Sequence, residues 1–421
     1  MGTGKRKQVV RRRRAVLIAA VAALLLGVIL FGMGSSGSEP TWADKLFPTA
    51  TPTATPEPTP TPEPTPVVQT VTFSATGDNL IHAPLYNQAA ARAEGDAKYD
   101  FTYAYANMAE FYSGYDVNWI NQETLISTEH AASTYPCFST PGECAEALYA
   151  IGLRVFALSN NHSYDKGASG IAATRRFWAE MPDDVVTTGL WEGEEDYDRI
   201  PMHTVNGITI AYLSYTETTN GLPTPSKAEA HVIYNHQLDL IERQIKLART
   251  KADIVVVGMH WGVEYSHKYN TNQSNLAQKL ADWGADLIVG THPHVLQDAA
   301  WLTAQDGRPV FVAYSLGNFI STQDEPSRTV GAVLSCTFQK TTDPDGTVAI
   351  EVLSPALHPV VTHYENGMSR ANCRTYLLKD YTPELGQQHG LRAKYSGYGY
   401  DQIVSIVEEN ITAEFLAENW K

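Results

Sequence analysis

The stretch DLIVGTHPHVLQ, residues 286–297, decides how this chain is read. Leu287, Ile288 and Val289 form an unbroken apolar run, the pattern of a strand buried on both faces. Gly290 and Thr291 close the run, and His292, Pro293 and His294 follow. In an extended chain residues i and i+2 share a face, so the spacing predicts that both imidazoles point at one spot. Pro293 has no N–H, so the segment is expected to have left the sheet ladder by this point.

Working outward, strands and helices alternate. Strands are expected at 68–76 (VQTVTFSAT), 153–160 (LRVFALSN), 207–215 (GITIAYLSY), 252–261 (ADIVVVGMHW), 285–290 (ADLIVG) and 309–317 (PVFVAYSLG). Helices are expected at 143–152, 167–181, near 232–250 and at 272–283, and two antiparallel strands at 329–339 and 347–358. Strands rich in Val, Ile and Leu between amphipathic helices imply sheets covered by helices.

The polar residues gather after the strands. The first leads into Asp78 and Asn79, and the apolar stretch DVNWIN leads to Glu123. FALSN leads to Asn161 and His162, VVVGM to His260, and DLIVG to His292 and His294. Singly, each has an ordinary explanation: Asp78 as a turn residue, Glu123 as a member of an ion pair, Asn161 as a turn former, His260 as a satisfied core histidine. Five strands delivering such residues at their C-terminal ends, where open α/β sheets place ligands, point to one shared site. Carboxylate, amide and imidazole donors without thiolate suit Mn, Zn or Fe, and a mixed set suits a two-metal centre.

Other candidates are less sharply marked. Ser315 and Asn318 in SLGNF either close a strand or line the pocket, and Glu264 and Tyr265 either orient His260 or meet substrate. His82 stands just past the first motif. No G-x-S-x-G elbow, Walker loop or dinucleotide fingerprint is present.

The N-terminal part reads differently. Residues 5–14 carry seven basic side chains and no acidic one, and residues 15–33 are 19 uncharged, almost wholly apolar positions. That length approaches the ~20 residues of a membrane-crossing helix, and the basic flank places the rest outside the cell. A cleavable signal peptide is the alternative. The expected organisation is a basic cytoplasmic tail (1–14), a transmembrane anchor (15–33), a Thr/Pro-rich linker (34–67), an α/β domain (68–385) and a C-terminal helical extension (386–421). The net charge is −15, and without the seven N-terminal basic residues 24 basic face 46 acidic side chains, a balance of −22. So acidic a domain argues against nucleic acid as a partner. Four cysteines are present, and Cys137 and Cys144 in CFSTPGEC are spaced for a short bridged loop.

Taken together, GDNLIH (77–82), NQETLIS (121–127), SNNHSYDKG (159–167), HWGVEY (260–265), GTHPHVLQ (290–297) and YSLGNF (314–319) resemble the CapA family, named for poly-γ-glutamate capsule synthesis, within the calcineurin-like metallophosphatase superfamily. The motifs span roughly residues 70–320 in the family's order. The resemblance implies an α/β fold, a four-layer α/β/β/α sandwich of two mixed sheets with metals at the strand ends. It implies that Asp78 and His294 bind a first metal, Asn161, His260 and His292 a second, and that Glu123 bridges them. His162 takes the place of the general acid or phosphate-orienting group. One motif departs from the superfamily: where Asp-x-His is usual, Leu80 stands two residues beyond Asp78. The first metal then has one ligand fewer, or draws on His82 or Asn79.

Three functions are compatible with this pattern. The first is a surface-anchored, metal-dependent phosphoesterase-like hydrolase. The second is a non-hydrolytic subunit that works with polyglutamate synthase subunits in synthesis or export. The third is a module that binds cell-wall polymer.

Overall fold

The computed structural model describes residues 65–421; the expected anchor at 15–33 and the linker up to residue 64 lie outside the described residues. Among the described residues no helix is long and apolar enough to cross a membrane. The described residues form fourteen strands, beginning with β1 (Val67–Asn79), β2 (Val117–Asn121), β3 (Val155–Ala157), β4 (Val186–Thr188), β5 (Met202–Val205), β6 (Ile208–Thr216) and β7 (Ile254–His260). They continue as β8 (Leu287–Thr291), β9 (Leu296–Thr303), β10 (Pro309–Leu316), β11 (Asn318–Ile320), β12 (Val330–Thr342), β13 (Val348–Glu365) and β14 (Ala371–Leu377). One sheet has the order β14-β13-β12-β1-β2-β3-β4 with β11 beside the end of β1; the other has β5-β6-β7-β8-β10-β9. Both are mixed: β1 to β4 and β6-β7-β8-β10 pair in parallel, while the β12, β13, β14, β5 and β9 edges pair antiparallel.

Continuous apolar strands need cover on both faces, and alternation along them shows where it comes from. Tyr212, Val256, Leu287, Val289, Phe311 and Ala313 join the core shared with Phe73, Ala75 and Trp119 of the first sheet. Their neighbours Leu213, Val255, Val257, Ile288 and Val312 pack instead against Ile241, Ile245 and Ala248 and against Leu276, Ala277 and Leu280. Those are the apolar stripes of helices Leu238–Lys251 and Thr271–Trp283, spaced at three and four residues. The second helix starts on a capping box between Asn270 and Gln273 and stops at Gly284, whose φ is +125°. The expected helix from 232 begins six residues later, because Thr216 first pairs with Tyr234 in an isolated bridge.

The seam between the sheets sets the position of the site. Gly258 faces the indole of Trp119, where a Cβ would come within 2.9 Å of the ring. Two residues on, the same face of β7 carries His260. On β1 strict alternation would turn Asp78 toward the side of Ser74 and Thr76, away from the second sheet. The register prevents this: Thr76 pairs with Ile120 and Asp78 with Asn121, so Gly77 is an extra residue and Asp78 turns into the seam. Only glycine fits, because a Cβ at residue 77 would stand 1.9 Å from Gly317 O.

Helix Tyr400–Asn410 buries Ile403, Ile406 and Val407. Beyond it, Asp298 of β9 accepts from Thr412 N at 2.9 Å and Thr412 Oγ1 at 2.6 Å, and Ala417 N donates to Leu357 O of β13. The last residues thus tie the two sheets together at one edge. All four cysteines are thiols, contrary to the expected Cys137–Cys144 bridge. Helix Gly142–Ala150 turns Cys144 into the core, 3.2 Å from Tyr105 OH, while Lys166 Nζ and Ser133 Oγ hold the carbonyl of Cys137 elsewhere.

Gly77→Ala is expected to lower stability by about 3 kcal/mol, as backbone rather than a pliable side chain blocks the added methyl. Urea unfolding checks this; a midpoint equal to that of the unaltered chain would contradict the bulge.

Candidate functional site

Asp78, Glu123, Asn161, His260, His292 and His294 come together at the C-terminal ends of β1, β2, β3, β7 and β8, all buried. Asp78 accepts from Asn121 Nδ2 at 2.7 Å through Oδ1, and from the backbone N–H of His292 at 3.3 Å through Oδ2. His294 Nδ1 lies 3.1 Å from both Asp78 Oδ2 and Asn318 Oδ1. Both are acceptors, so Nδ1 carries a proton, and Nε2 faces Glu123 Oε1, 3.7 Å away. On the other side of Glu123, the same Oε1 is 3.7 Å from His260 Nε2. His260 Nε2 in turn stands 3.0 Å from Asn161 Oδ1 and 3.1 Å from His292 Nδ1. Atoms with so few protons share this space only with a proton or a cation among them.

Glu123 is the focus of the cluster. It is fully buried, and neither carboxylate oxygen has a hydrogen-bond partner among the described residues. Burial raises its pKa well above the carboxylate range; His294 opposes the rise, while Asp78, Glu264 and Asp165 add to it. An uncompensated ion in such surroundings costs several kcal/mol, more than the about 1.5–3 kcal/mol a fully buried leucine returns. Burial, and then its histidine neighbours, also lower the pKa of His260, and His292 falls to about 4. His294 differs: against its own burial, the Glu123 and Asp78 carboxylates push its pKa up to about 9. Neutral His260 and His292 beside buried carboxylates suit a divalent cation, which would take the place of the His294 proton. Asp78, Glu123 and His294 alone present three ligand atoms within 4.8 Å of one another.

The imidazoles converge by a route that differs from the expected one. His292 and His294 do not alternate on an extended strand: their φ angles are +97° and +59°. Both are left-handed, which is unfavourable for residues with a Cβ, and strain of this kind gathers at functional sites. The loop is held by Tyr265, itself at φ +67°, whose N–H donates to Pro293 O at 2.7 Å.

A cleft of about 380 Å³ opens above the cluster, with His82, Phe138, His162, Glu264, Tyr265 and His294 in its wall. His162 stands edge-on to Phe138 and its Nδ1 is 2.7 Å from Asp165 Oδ2. Glu264 and the half-exposed Tyr265 form the rim, and the Arg328 guanidinium lies 3.5 Å over the Tyr265 ring. His82 is a wall residue beside Phe138 rather than a member of the ligand cluster, and burial takes its pKa down to about 3. Asn79 turns away altogether: the bulge sends it toward Gln122, Cys144 and Tyr105 OH. Ser315 does not reach the cleft either, because its hydroxyl donates to Val295 O and accepts from Gly317 N. Asn318 holds His294 from behind.

Three contributors were not marked in the sequence reading. Asn121 sits two residues before Glu123, Thr291 Oγ1 is 3.0 Å from His260 Nδ1, and Asp165 orients His162. The i, i+3 spacing of His162 and Asp165 in SNNHSYDKG was a usable signal for the last.

Comparison with known proteins agrees with the family resemblance. The family model described as bacterial capsule synthesis protein PGA_cap matches residues 72–323. The PGA biosynthesis protein CapA of Bacillus subtilis is 33% identical over 206 residues, 49% of this chain and 52% of the relative. The capsule biosynthesis protein CapA of Bacillus anthracis is 35% identical over 189 residues, 44% of each chain. The chain therefore spans about half the length of the curated relatives it matches. The solved structure of Haemophilus influenzae NAD nucleotidase superposes with a TM-score of 0.41 and 13% identity, over 84% of this chain and 58% of that one.

In metal-free protein, Glu123→Gln is expected to raise stability by about 1–3 kcal/mol at neutral pH, because glutamine has no ionisation for burial to oppose. Since the folded-state pKa of Glu123 is raised, its contribution is favourable at low pH and is lost as pH climbs from the ordinary carboxyl range through the raised value. The variant should lose that decline, which paired thermal melts across pH will read.

Proposed function

The chain belongs to the bacterial capsule synthesis protein family, and on that footing we propose that it is a metal-dependent, phosphoesterase-like hydrolase of capsule assembly. The observation that carries this reading is the buried Glu123 carboxylate, without a hydrogen bond, set between two groups of ligand atoms. Divalent Mn, Zn or Fe held there would polarise a phosphoryl oxygen and ease the ionisation of water.

The chain's own residues have distinct tasks. Asp78, Glu123 and His294 would hold one ion; Asn161, His260 and His292 would hold the other, with Glu123 shared. Asn318 and Asp78 keep the Nδ1 proton on His294, and Thr291 braces His260. Asp165 engages Nδ1 of His162, leaving the other ring nitrogen to pass a proton to the leaving oxygen. The walls of Leu80, Phe138 and Tyr265 limit water around the reacting group.

The proposal extends to place and partners. Residues 15–33 anchor the chain in the cell membrane with the α/β domain outside, where it meets a nascent polymer of the poly-γ-glutamate type or the subunits that make it. A second reading, a non-hydrolytic subunit of that machinery, is favoured by one observation: Leu80 fills the position where a histidine would complete the first ligand group.

Full-length chain loaded with Mn²⁺, Zn²⁺ or Fe²⁺ is expected to retain metal stoichiometrically and to hydrolyse an activated phosphodiester. His292→Ala should leave no measurable hydrolysis, and His162→Asn should lower kcat by about 10²–10⁴-fold with metal retained. Metal retention without turnover on any ester, together with capsule restored in cells by His292→Ala, would establish the second reading instead.

A further inference from the structure

Among the described residues the cleft wall contains no Lys or Arg, and its one formal charge apart from histidine is Glu264. Next to it lies a smaller pocket of about 200 Å³, bounded by Asp324, Tyr364, Gly367, Arg370, Gly390 and Lys394. Gln323 lines the cleft and its chain neighbour Asp324 lines the pocket, and Arg370 lies close enough to His82 of the cleft wall to act on its charge. Backbone forms part of the floor: a Cβ on Gly390 would come within 2.9 Å of Gly367 N.

Arg370 is the unusual member. Its side chain is 18% exposed, and its single ion pair among the described residues, Nη2 to Asp324 Oδ2, spans 3.5 Å, long for a hydrogen bond. Its Nε is buried with no partner among the described residues. A guanidinium brings five donors, and leaving a buried one unmet is unfavourable. Arg374 also has an unpartnered Nε, but the rings of Tyr103 and Tyr376 lie 4.7 and 4.9 Å from its guanidinium. No ring covers Arg370 among the described residues. Its backbone is left-handed at φ +49°, a conformation that arginine gains nothing from adopting for its own sake. Lys394 does not compete for the same role, because it sits 2.8 Å from Glu325 Oε1.

We propose that Arg370 forms a carboxylate-binding subsite beside the cleft, taking a carboxylate of the molecule whose reacting group lies over Glu123. The planar fork of the guanidinium matches the two oxygens of a carboxylate. Charge favours a monoanion over a phosphate dianion: Arg370 and Lys394 are already balanced by Asp324 and Glu325. The subsite rests on the hydrolase reading for what fills the cleft, but not for binding the carboxylate itself.

The test uses full-length chain stripped of metal with EDTA, so that its outcome does not depend on the hydrolase reading. Butyrate should raise the melting temperature saturably, and inorganic phosphate should do so less at equal concentration. Arg370→Met should abolish the butyrate effect, weakening binding at least tenfold, while melting no lower than the parent in the absence of anion. Arg370→Lys, which keeps the charge and loses the fork, should bind with intermediate strength. No saturable butyrate effect on the parent, an equal effect on Arg370→Met, a preference for phosphate, or a lower melting temperature for Arg370→Met without anion would each overturn the subsite.

Discussion

A carboxylate deep in a protein must find a proton, a donor or a cation, and the interior around Glu123 offers it no donor. The surrounding structure follows from that constraint. Asp78 and His294 on one side and Asn161, His260 and His292 on the other surround it without giving either oxygen a hydrogen bond. Apolar strands on both sheets keep water from doing so. A centre of this kind is destabilising alone and stabilising once filled, which makes binding and folding two aspects of one equilibrium.

Regular secondary structure brings these groups near one another, but irregular backbone aims them. Pleating alone would leave Asp78 on the far side of its sheet; the extra residue at Gly77 turns it round, and the close approach of Gly317 excludes any side chain there. The histidine pair uses a different device, left-handed φ angles on either side of Pro293. Behind these lies a supporting ring of Asn121, Thr291, Asp165 and Asn318, whose bonds hold Asp78, His260, His162 and His294 in place.

The apolar runs of β7, β8 and β10 made the covered sheets legible, because a strand buried on both faces leaves an uninterrupted pattern of Val, Ile and Leu. The recurrence of polar residues after those runs revealed where the ligand atoms gather. Edge strands were harder to see: β9, LQDAAWLT, mixes exposed and buried positions and resembles a loop, and β14 is equally mixed. A bulge has no signature beyond an ordinary glycine, so nothing local distinguished Asn79, which turns away, from Asp78, which turns in. Ser315 misled for a similar reason: a serine beside a turn is as ready to brace backbone as to meet a ligand. The cysteine spacing suggested a bridge, but helix Gly142–Ala150 needed one of the two thiols for its core face.

The bond from Tyr265 N–H to Pro293 O joins the lip of the cleft to the peptide between the two imidazoles. Entrance and centre are consequently one mechanical piece. Displacing Tyr265 would disturb the carbonyl between His292 and His294 directly, with no moving lid in between.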